Sequence, residues 1–532
     1  MEQELTSKKK EVVDYLLKKG VLISSELINQ LNDESKIQTL YSQIQTSSTG
    51  ALVINEDTQK LTTSQINNIN WTEVEKSKVM LEKGKYSVYN KLVDLIFTEK
   101  ITHAEGESKS PLKTPVKILF SYEEIPKKRD IRDFIDYFNN RHRQIASLLR
   151  NRIELGKISS INKILNKKEK ETVSIIAMVA DKQYTKNNNL IITLEDPTGQ
   201  IKAIINKTKK NIYTSAKELV MDEVVGVVGV AQGDVIFVNN IIWPDIPVNN
   251  EMKKSLEEGY IAFLSDLHVG SSKFLPDDFD KFIKWINCEV GNDSQRKIAE
   301  KIKYLFIAGD LVDGCGVYPD QEKELLIPDI YEQYKECARL LSKIPKHIPL
   351  IICPGNHDAL RIAEPQPKLG MNFSKPLHDL PNAIFVSNPA LVNVAEADDF
   401  TGFNILMYHG YSFDYFVSEV DSLRANGGYN RGDLIMKFLM KRRHLAPSHT
   451  STLYIPETKK DFLVIEQVPD IFISGHIHKS IAANYRNVTL ISGSCWQSKT
   501  AFQEKVGHNP EPSRVPIINT KTREVKVLKF GQ

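Results

Sequence analysis

The chain has 532 residues, 41% hydrophobic and 26% charged, a balance that excludes wholesale disorder and supplies core material for about three or four domains. Seventy Lys and Arg against 67 Asp and Glu give a formal net charge of +3, so any surface for a polyanion must be local. Cys288, Cys315, Cys337, Cys353 and Cys495 form no C-x-x-C pair, which argues against a disulfide framework or a Cys-rich zinc site and for a reducing, intracellular compartment. No apolar run approaches ~18 residues, so a soluble protein with no membrane segment is expected.

In chain order, residues 1–100 are expected to hold a small helical module. Over 8–45, Val12, Val13, Leu16 and Leu17 recur at helical spacing before a Gly20 stop, and SSELINQL continues the pattern. The polar text that follows closes with AEGESKSPLKTP, an exposed linker by composition. Residues 101–170 read as that linker and a basic helical segment, IRDFIDYFNNRHRQIASLLRNRIEL. Its 108–170 portion carries 16 Lys or Arg against 7 Asp or Glu. Contact with a nucleic-acid backbone and a merely solvated helix face both remain open for it.

Residues 171–247 change period to five short β runs, VSIIAMVA, LIITLED, QIKAII, EVVGVVGVA and DVIFVNNIIW. An OB-fold-like barrel is expected, with a hairpin at Asp196-Pro197-Thr198-Gly199 and a long polar connection before the fourth strand. Its strands are aliphatic apart from Phe237 and Trp243, so single-strand binding and a docking role both stay open.

Residues 248–532 repeat one arrangement: a short apolar run, readable as a buried parallel strand, ends in metal-competent residues. YIAFLSDLHVG delivers Asp266 and His268, YLFIAGDLVDG Asp310 and Asp313, and PLIICPGNHD Asn356, His357 and Asp358. FNILMYHG then delivers His409, and DIFISGHIH His476 and His478. In an open α/β sheet the carboxyl ends of strands share one edge, so these residues converge. A mixed oxygen and nitrogen donor set without Cys suits two borderline divalent ions ~3.5–4 Å apart, such as Mn²⁺, Zn²⁺ or Fe²⁺. Asp310 is the natural bridge, one oxygen to each ion, with Asp266, His268 and His478 on one ion and Asn356, His409 and His476 on the other. Any one of these is more often an ordinary core residue; the ordered set is not.

The motifs D-x-H, GD-x-x-DG, GNHD, a lone His after a strand and GH-x-H resemble the calcineurin-like metallophosphoesterases over roughly residues 258–500. The resemblance implies a calcineurin-like α/β domain that hydrolyses phosphate esters. It implies that His357 acts on the leaving oxygen or the developing charge, with Asp358 orienting its imidazole and Asp313 holding a ligand or the GD loop. Phosphatases of this superfamily read GD-x-VDRG and GNHE. Gly314 replaces that Arg here and GNHD replaces GNHE, which favours a diester substrate.

The order of helical module, basic segment, barrel and phosphoesterase resembles the small subunit of archaeal D-family DNA polymerase, related to the B subunits of eukaryotic replicative polymerases. The segment KFLMKRRHLAPSHT before the last motif resembles the same family, whereas residues 435–446 alone read as a basic amphipathic helix. The resemblance implies a 3′→5′ proofreading exonuclease that acts on DNA 3′ ends in a heterodimer with a large catalytic subunit; Mn²⁺ is the expected metal, and a cytoplasmic, nucleoid-associated location is expected. The alternatives are a non-catalytic scaffold subunit and a free-standing repair phosphodiesterase. Residues 1–100 carry no resemblance.

Overall fold

The computed structural model describes residues 115–124, 126–167, 169–505 and 507–531, with two short strands nearer the amino terminus, Leu22–Ile23 (β1) and Val53–Ile54 (β2), which pair in parallel. The chain divides into two units, 1–108 and 109–532. The helical module expected over 1–100 lies outside the described residues, those two strands excepted. Among the described residues no helix is long and apolar enough to cross a membrane.

The segment expected as linker and basic helix begins, in its described part, with a strand, Val116–Ser121 (β3). Helix Ile131–Leu149 follows, opened by a capping box in which Asp130 accepts the Asp133 amide at 3.3 Å and Asp133 accepts the Asp130 amide at 3.0 Å. Its buried stripe of Tyr137, Arg141, Ile145 and Leu149 has the spacing of one helix face. The basic segment is therefore not solvated all round: Arg141 is 1% exposed.

Five strands then close a barrel: β4 (Glu171–Tyr184), β5 (Leu190–Asp196), β6 (Gly199–Ile205), β7 (Val224–Gln232) and β8 (Val235–Ile242). They run in the order β4-β5-β6-β8-β7, with β4 returning to pair β7 and β6 parallel to β8. The expected hairpin joins β5 and β6 with Asp196 opposite Gly199, and helix Lys210–Lys217 fills the long polar connection. Aliphatic side chains fill the interior. The two aromatic exceptions part company: Phe237 stays exposed, whereas Trp243 is buried and donates its indole N–H to Glu223 at 3.0 Å.

The remaining strands are β9 (Tyr260–Leu264), β10 (Ile302–Ala308), β11 (Leu350–Cys353), β12 (Ala383–Phe385), β13 (Ala390–Ala397), β14 (Phe400–Met407), β15 (Ile471–Ser474), β16 (Ile481–Tyr485), β17 (Val488–Ser492), β18 (Arg514–Asn519) and β19 (Val525–Lys529). They build two six-stranded sheets, not the single open sheet that the strand-end argument assumes. One runs β12-β11-β10-β9-β18-β19 and the other β16-β17-β15-β14-β13-β3, so the segment before the barrel supplies an edge strand to the second sheet. Period-2 alternation explains the layering. Ile261 and Phe263 of β9 face an inner core shared with Phe403, Ile405 and Ile471 of the other sheet, while Ala262 and Leu264 face the helices outside. A second outer core, around Phe416, Met436 and Leu439, covers the far sheet.

Candidate metal centre

Each strand end that carries a motif opens toward one place. β9, β10 and β11 are mutually parallel in the first sheet, and β14 and β15 are parallel in the second. Their carboxyl ends therefore meet across the sandwich. The backbone there is bent sharply: Asp266, His268 and Asp310 each have φ of 51°, His476 69° and His478 53°. The left-handed region costs a non-glycine residue ~1 kcal/mol or more, and such conformations concentrate at functional sites. The glycines before the donors are required by crowding. A Cβ on Gly309 (φ 85°) would lie 2.5 Å from Nδ1 of His409, one on Gly475 2.5 Å from Oδ2 of Asp266, and one on Gly355 would run into the Asp310 carboxylate.

All seven expected donors come together, in two clusters that share Asp310. In the first, Nε2 of His268 lies 3.1 Å from Nε2 of His478, which lies 3.3 Å from Oδ1 of Asp266. In the second, Oδ1 of Asn356 lies 3.0 Å from both Nε2 of His409 and Nδ1 of His476. Oδ2 of Asp310 stands between the clusters, 3.9 Å from His268 and 3.2 Å from His409. Oδ1 of Asp310 accepts the His357 amide at 2.8 Å.

Apart from the 3.9 Å between Asp310 and His268, these spacings fit metal ions. Two donors held ~2.1 Å from one ion at tetrahedral or octahedral angles lie roughly 3.0–3.4 Å apart. The tautomers also fit. His409 donates Nδ1–H to the Ala308 carbonyl at 2.7 Å and His268 donates Nδ1–H to Asp313 at 3.1 Å, which turns Nε2 of each inward with its lone pair. The charge balance points the same way. Burial would lower His409, but Asp310 and Asp266 outweigh it and push it up to about 10. Burial would likewise raise Asp310, yet His409, His357 and His268 hold it well below the usual carboxylate range. Buried carboxylates thus recruit positive charge here, a proton or a cation.

His357 is part-buried beside this centre, its ring centroid 4.6 Å from that of His268. Its Nδ1–H is donated to the Asp313 carbonyl at 2.7 Å, leaving Nε2 as the nitrogen available for chemistry. Asp358 does not take the place expected for it: it accepts the Gly355 amide at 2.8 Å and the Tyr334 hydroxyl at 3.1 Å. Burial and the neighbouring Asp310 charge push its carboxyl up to about 7. Asp313 accepts from His268, from Gln497 at 3.1 Å and from Gln321 at 3.0 Å.

Comparison with known proteins adds the family. Residues 259–480 match the calcineurin-like phosphoesterase family. The chain is 38% identical over 461 residues to the DNA polymerase II small subunit of Methanothermobacter thermautotrophicus, covering 85% of this chain and 92% of that protein. It is 39% identical over 405 residues to the DNA polymerase II small subunit of Archaeoglobus fulgidus, covering 76% of this chain and 78% of the relative. The chain belongs to the DNA polymerase II small subunit family. Small subunits of this family imply a partnership with a large subunit, and the phosphoesterase domain implies divalent metal ions.

In this small-subunit chain the helix expected over 435–446 runs Gly432–Arg442, and the RRHLAP segment at its end is a buried junction. Arg442 pairs with Glu223 of the barrel at 2.8 Å, Arg443 donates to the Ile465 carbonyl at 2.7 Å, and His444 donates to Asp461 at 2.8 Å. Arg141 of the basic helix meets the same Asp461 at 2.8 Å.

Some site residues escape any reading of spacing. Nε2–H of His476 is donated to Asp414 at 2.9 Å, and the Gln503 amide meets Nδ1 of His478 at 3.0 Å. Asp414 sits five residues beyond His409 in YSFDYF, with nothing local to mark it. Replacing it by alanine removes the acceptor that fixes the His476 tautomer, so metal affinity at the second cluster is expected to fall ~10–100-fold. Calorimetric titration of metal-free protein with Mn²⁺ checks this; equal affinity in wild type and variant would rule it out.

Proposed function

We propose that this chain is the 3′→5′ proofreading exonuclease subunit of its polymerase, hydrolysing DNA phosphodiesters at a dinuclear centre. The observation that carries the reading is the convergence of two donor clusters on one oxygen of Asp310. Asp266, His268, His478 and Asp310 would hold one ion, and Asp310, Asn356, His409 and His476 the other. Bound divalent ions, Mn²⁺ on this mixed donor set, supply Lewis acidity to the phosphate oxygens and acidify water.

The chain's own groups do the rest. His357, anchored by donating Nδ1–H to the Asp313 carbonyl, faces the leaving or developing oxyanion with Nε2, which carries a lone pair in the neutral ring and donates there only as the imidazolium. Asp313 fixes His268, and Asp414 fixes His476. No arginine side chain stands at position 314, where a monoester's extra charge would be gripped, which favours the diester. Cleavage leaves a 3′-hydroxyl strand and a nucleoside 5′-monophosphate. The barrel, whose strand order and β6–β8 pairing support the OB-like reading, serves here as a docking module, since Trp243 and Glu223 are taken up by Lys441 and Arg442.

The test is digestion of 3′-labelled and 5′-labelled single-stranded DNA with and without Mn²⁺. Wild type is expected to release mononucleotides from the 3′ end, and His357→Ala to do so ~10²–10³-fold more slowly while still binding metal. Absence of metal-dependent release, with or without the large subunit, would leave the scaffold role in its place.

A further inference from the structure

Beside His357 a pair of aromatic rings is built out from the metal centre. Tyr318 and Phe502 stack with centroids 5.2 Å apart and planes 24° from parallel, and the Tyr318 ring lies 6.2 Å from that of His357. Phe502, on helix Ala501–Lys505, is 41% exposed, so one side of the stacked pair is open. A single exposed ring on a surface needs no explanation. This one is tied to the site from both banks.

Glu324 clamps the pair, accepting the Tyr318 hydroxyl at 3.1 Å and the Ala501 amide at 3.0 Å. Next to Phe502, Gln503 reaches His478. Near Tyr318, Gln321 accepts the Val317 amide at 2.8 Å and donates to the Asp313 carbonyl at 2.7 Å. The rings thus hang on the residues that fix His268, His357 and His478. An aromatic surface held beside a phosphate-binding centre suits a planar heterocycle attached to that phosphate, because every base has a π-face to stack.

We propose that the Tyr318–Phe502 pair is the platform on which the base of the strand-terminal nucleotide stacks while its phosphodiester lies at the metal centre. The inference rests on the hydrolytic reading for its substrate and adds a base subsite to it. Phe502 supplies the contact face; Tyr318 and Glu324 are positioning residues that hold that face in place. The consequence is selectivity for an end that carries a base over one that does not.

Two measurements on the full chain separate the inference from the reading beneath it. The first is quenching of 2-aminopurine at the 3′ terminus of a single strand when metal-free protein binds. Quenching is expected with wild type and Phe502→Tyr, and is expected to be lost with Phe502→Ala. The second is the ratio of Mn²⁺-dependent cleavage rates for a base-bearing and an abasic terminus: roughly tenfold in wild type, near one in Phe502→Ala. Quenching that depends on Phe502 in a protein that cleaves neither end would sustain the platform and sink the hydrolytic reading. Cleavage with a wild-type ratio near one, or quenching unchanged in Phe502→Ala, would overturn the platform and leave hydrolysis standing.

Discussion

Replacing Asp310 by alanine is expected to reduce metal-dependent DNA hydrolysis by ~10³-fold or more, the largest loss of any single substitution in the centre. Oδ2 of this residue is the atom common to both clusters, and Oδ1 holds the His357 amide at 2.8 Å. Its removal would therefore strip a donor from each of the two proposed ions and free the loop that carries Asn356 and His357. Several kcal/mol of transition-state charge stabilisation correspond to about three powers of ten in rate. A readout independent of turnover is thermal unfolding with and without Mn²⁺. Ligand at ~100 times its dissociation constant stabilises the folded state by about 2.7 kcal/mol, a gain expected in wild type and absent in Asp310→Ala. A variant that keeps the Mn²⁺-induced rise would show that the two clusters do not depend on a shared carboxylate.

The largest effect on stability is expected far from the metals, at Arg141. Its guanidinium is 1% exposed, pairs with Asp461 at 2.8 Å and reaches the Tyr137 hydroxyl at 3.2 Å. Asp461 also accepts from His444 at 2.8 Å and from Tyr137 at 2.9 Å. Arg141→Ala leaves a buried carboxylate without its permanent partner, at a cost of about 3–5 kcal/mol. Urea unfolding at neutral pH measures it, and a loss below ~1 kcal/mol would mean that water or His444 takes over the role.

The pH dependence has a definite sign. Burial and the Arg141 charge push His444 down to about 4 from 6.5, so the unfolded chain binds a proton there that the fold excludes. This contribution is present above pH 6.5 and is lost as pH falls toward about 4. Burial would raise Asp461, but His444 and Arg141 hold it well below 3.8, so its contribution persists to lower pH and is lost only there. Without Arg141, His444 charges more readily and becomes the partner of Asp461. The stability gap between wild type and Arg141→Ala is therefore expected to narrow as pH drops from about 6.5 to about 4. A gap constant over that window would sink the account.

The convergence of the seven candidate side chains was legible because its signal is local. An apolar run such as YIAFL reads as a strand buried on both faces, and the polar residues just after it must sit at the strand's carboxyl end. The β5–β6 hairpin was legible for the same reason, from Asp196 to Gly199. Partners that depend on contact between distant elements left no such mark. Asp414 and Gln503 touch the histidines through positions that no spacing rule selects, and Asp358, adjacent to His357, turns to Tyr334 instead. Charge misled in part as well: the lysines and arginines counted in the basic segment include Arg141, which is consumed by an ion pair with a residue 320 positions away.

By itself the sequence determined which metal-competent side chains follow buried strands, because side-chain chemistry and hydrophobic period are properties of short segments. Only the tertiary structure decided that these strands belong to two sheets, that Oδ2 of Asp310 stands between the clusters, and that RRHLAP is a buried junction between barrel, helix and phosphoesterase. Those outcomes are set by which faces bury against each other, a choice made among elements hundreds of residues apart and carried by no local pattern.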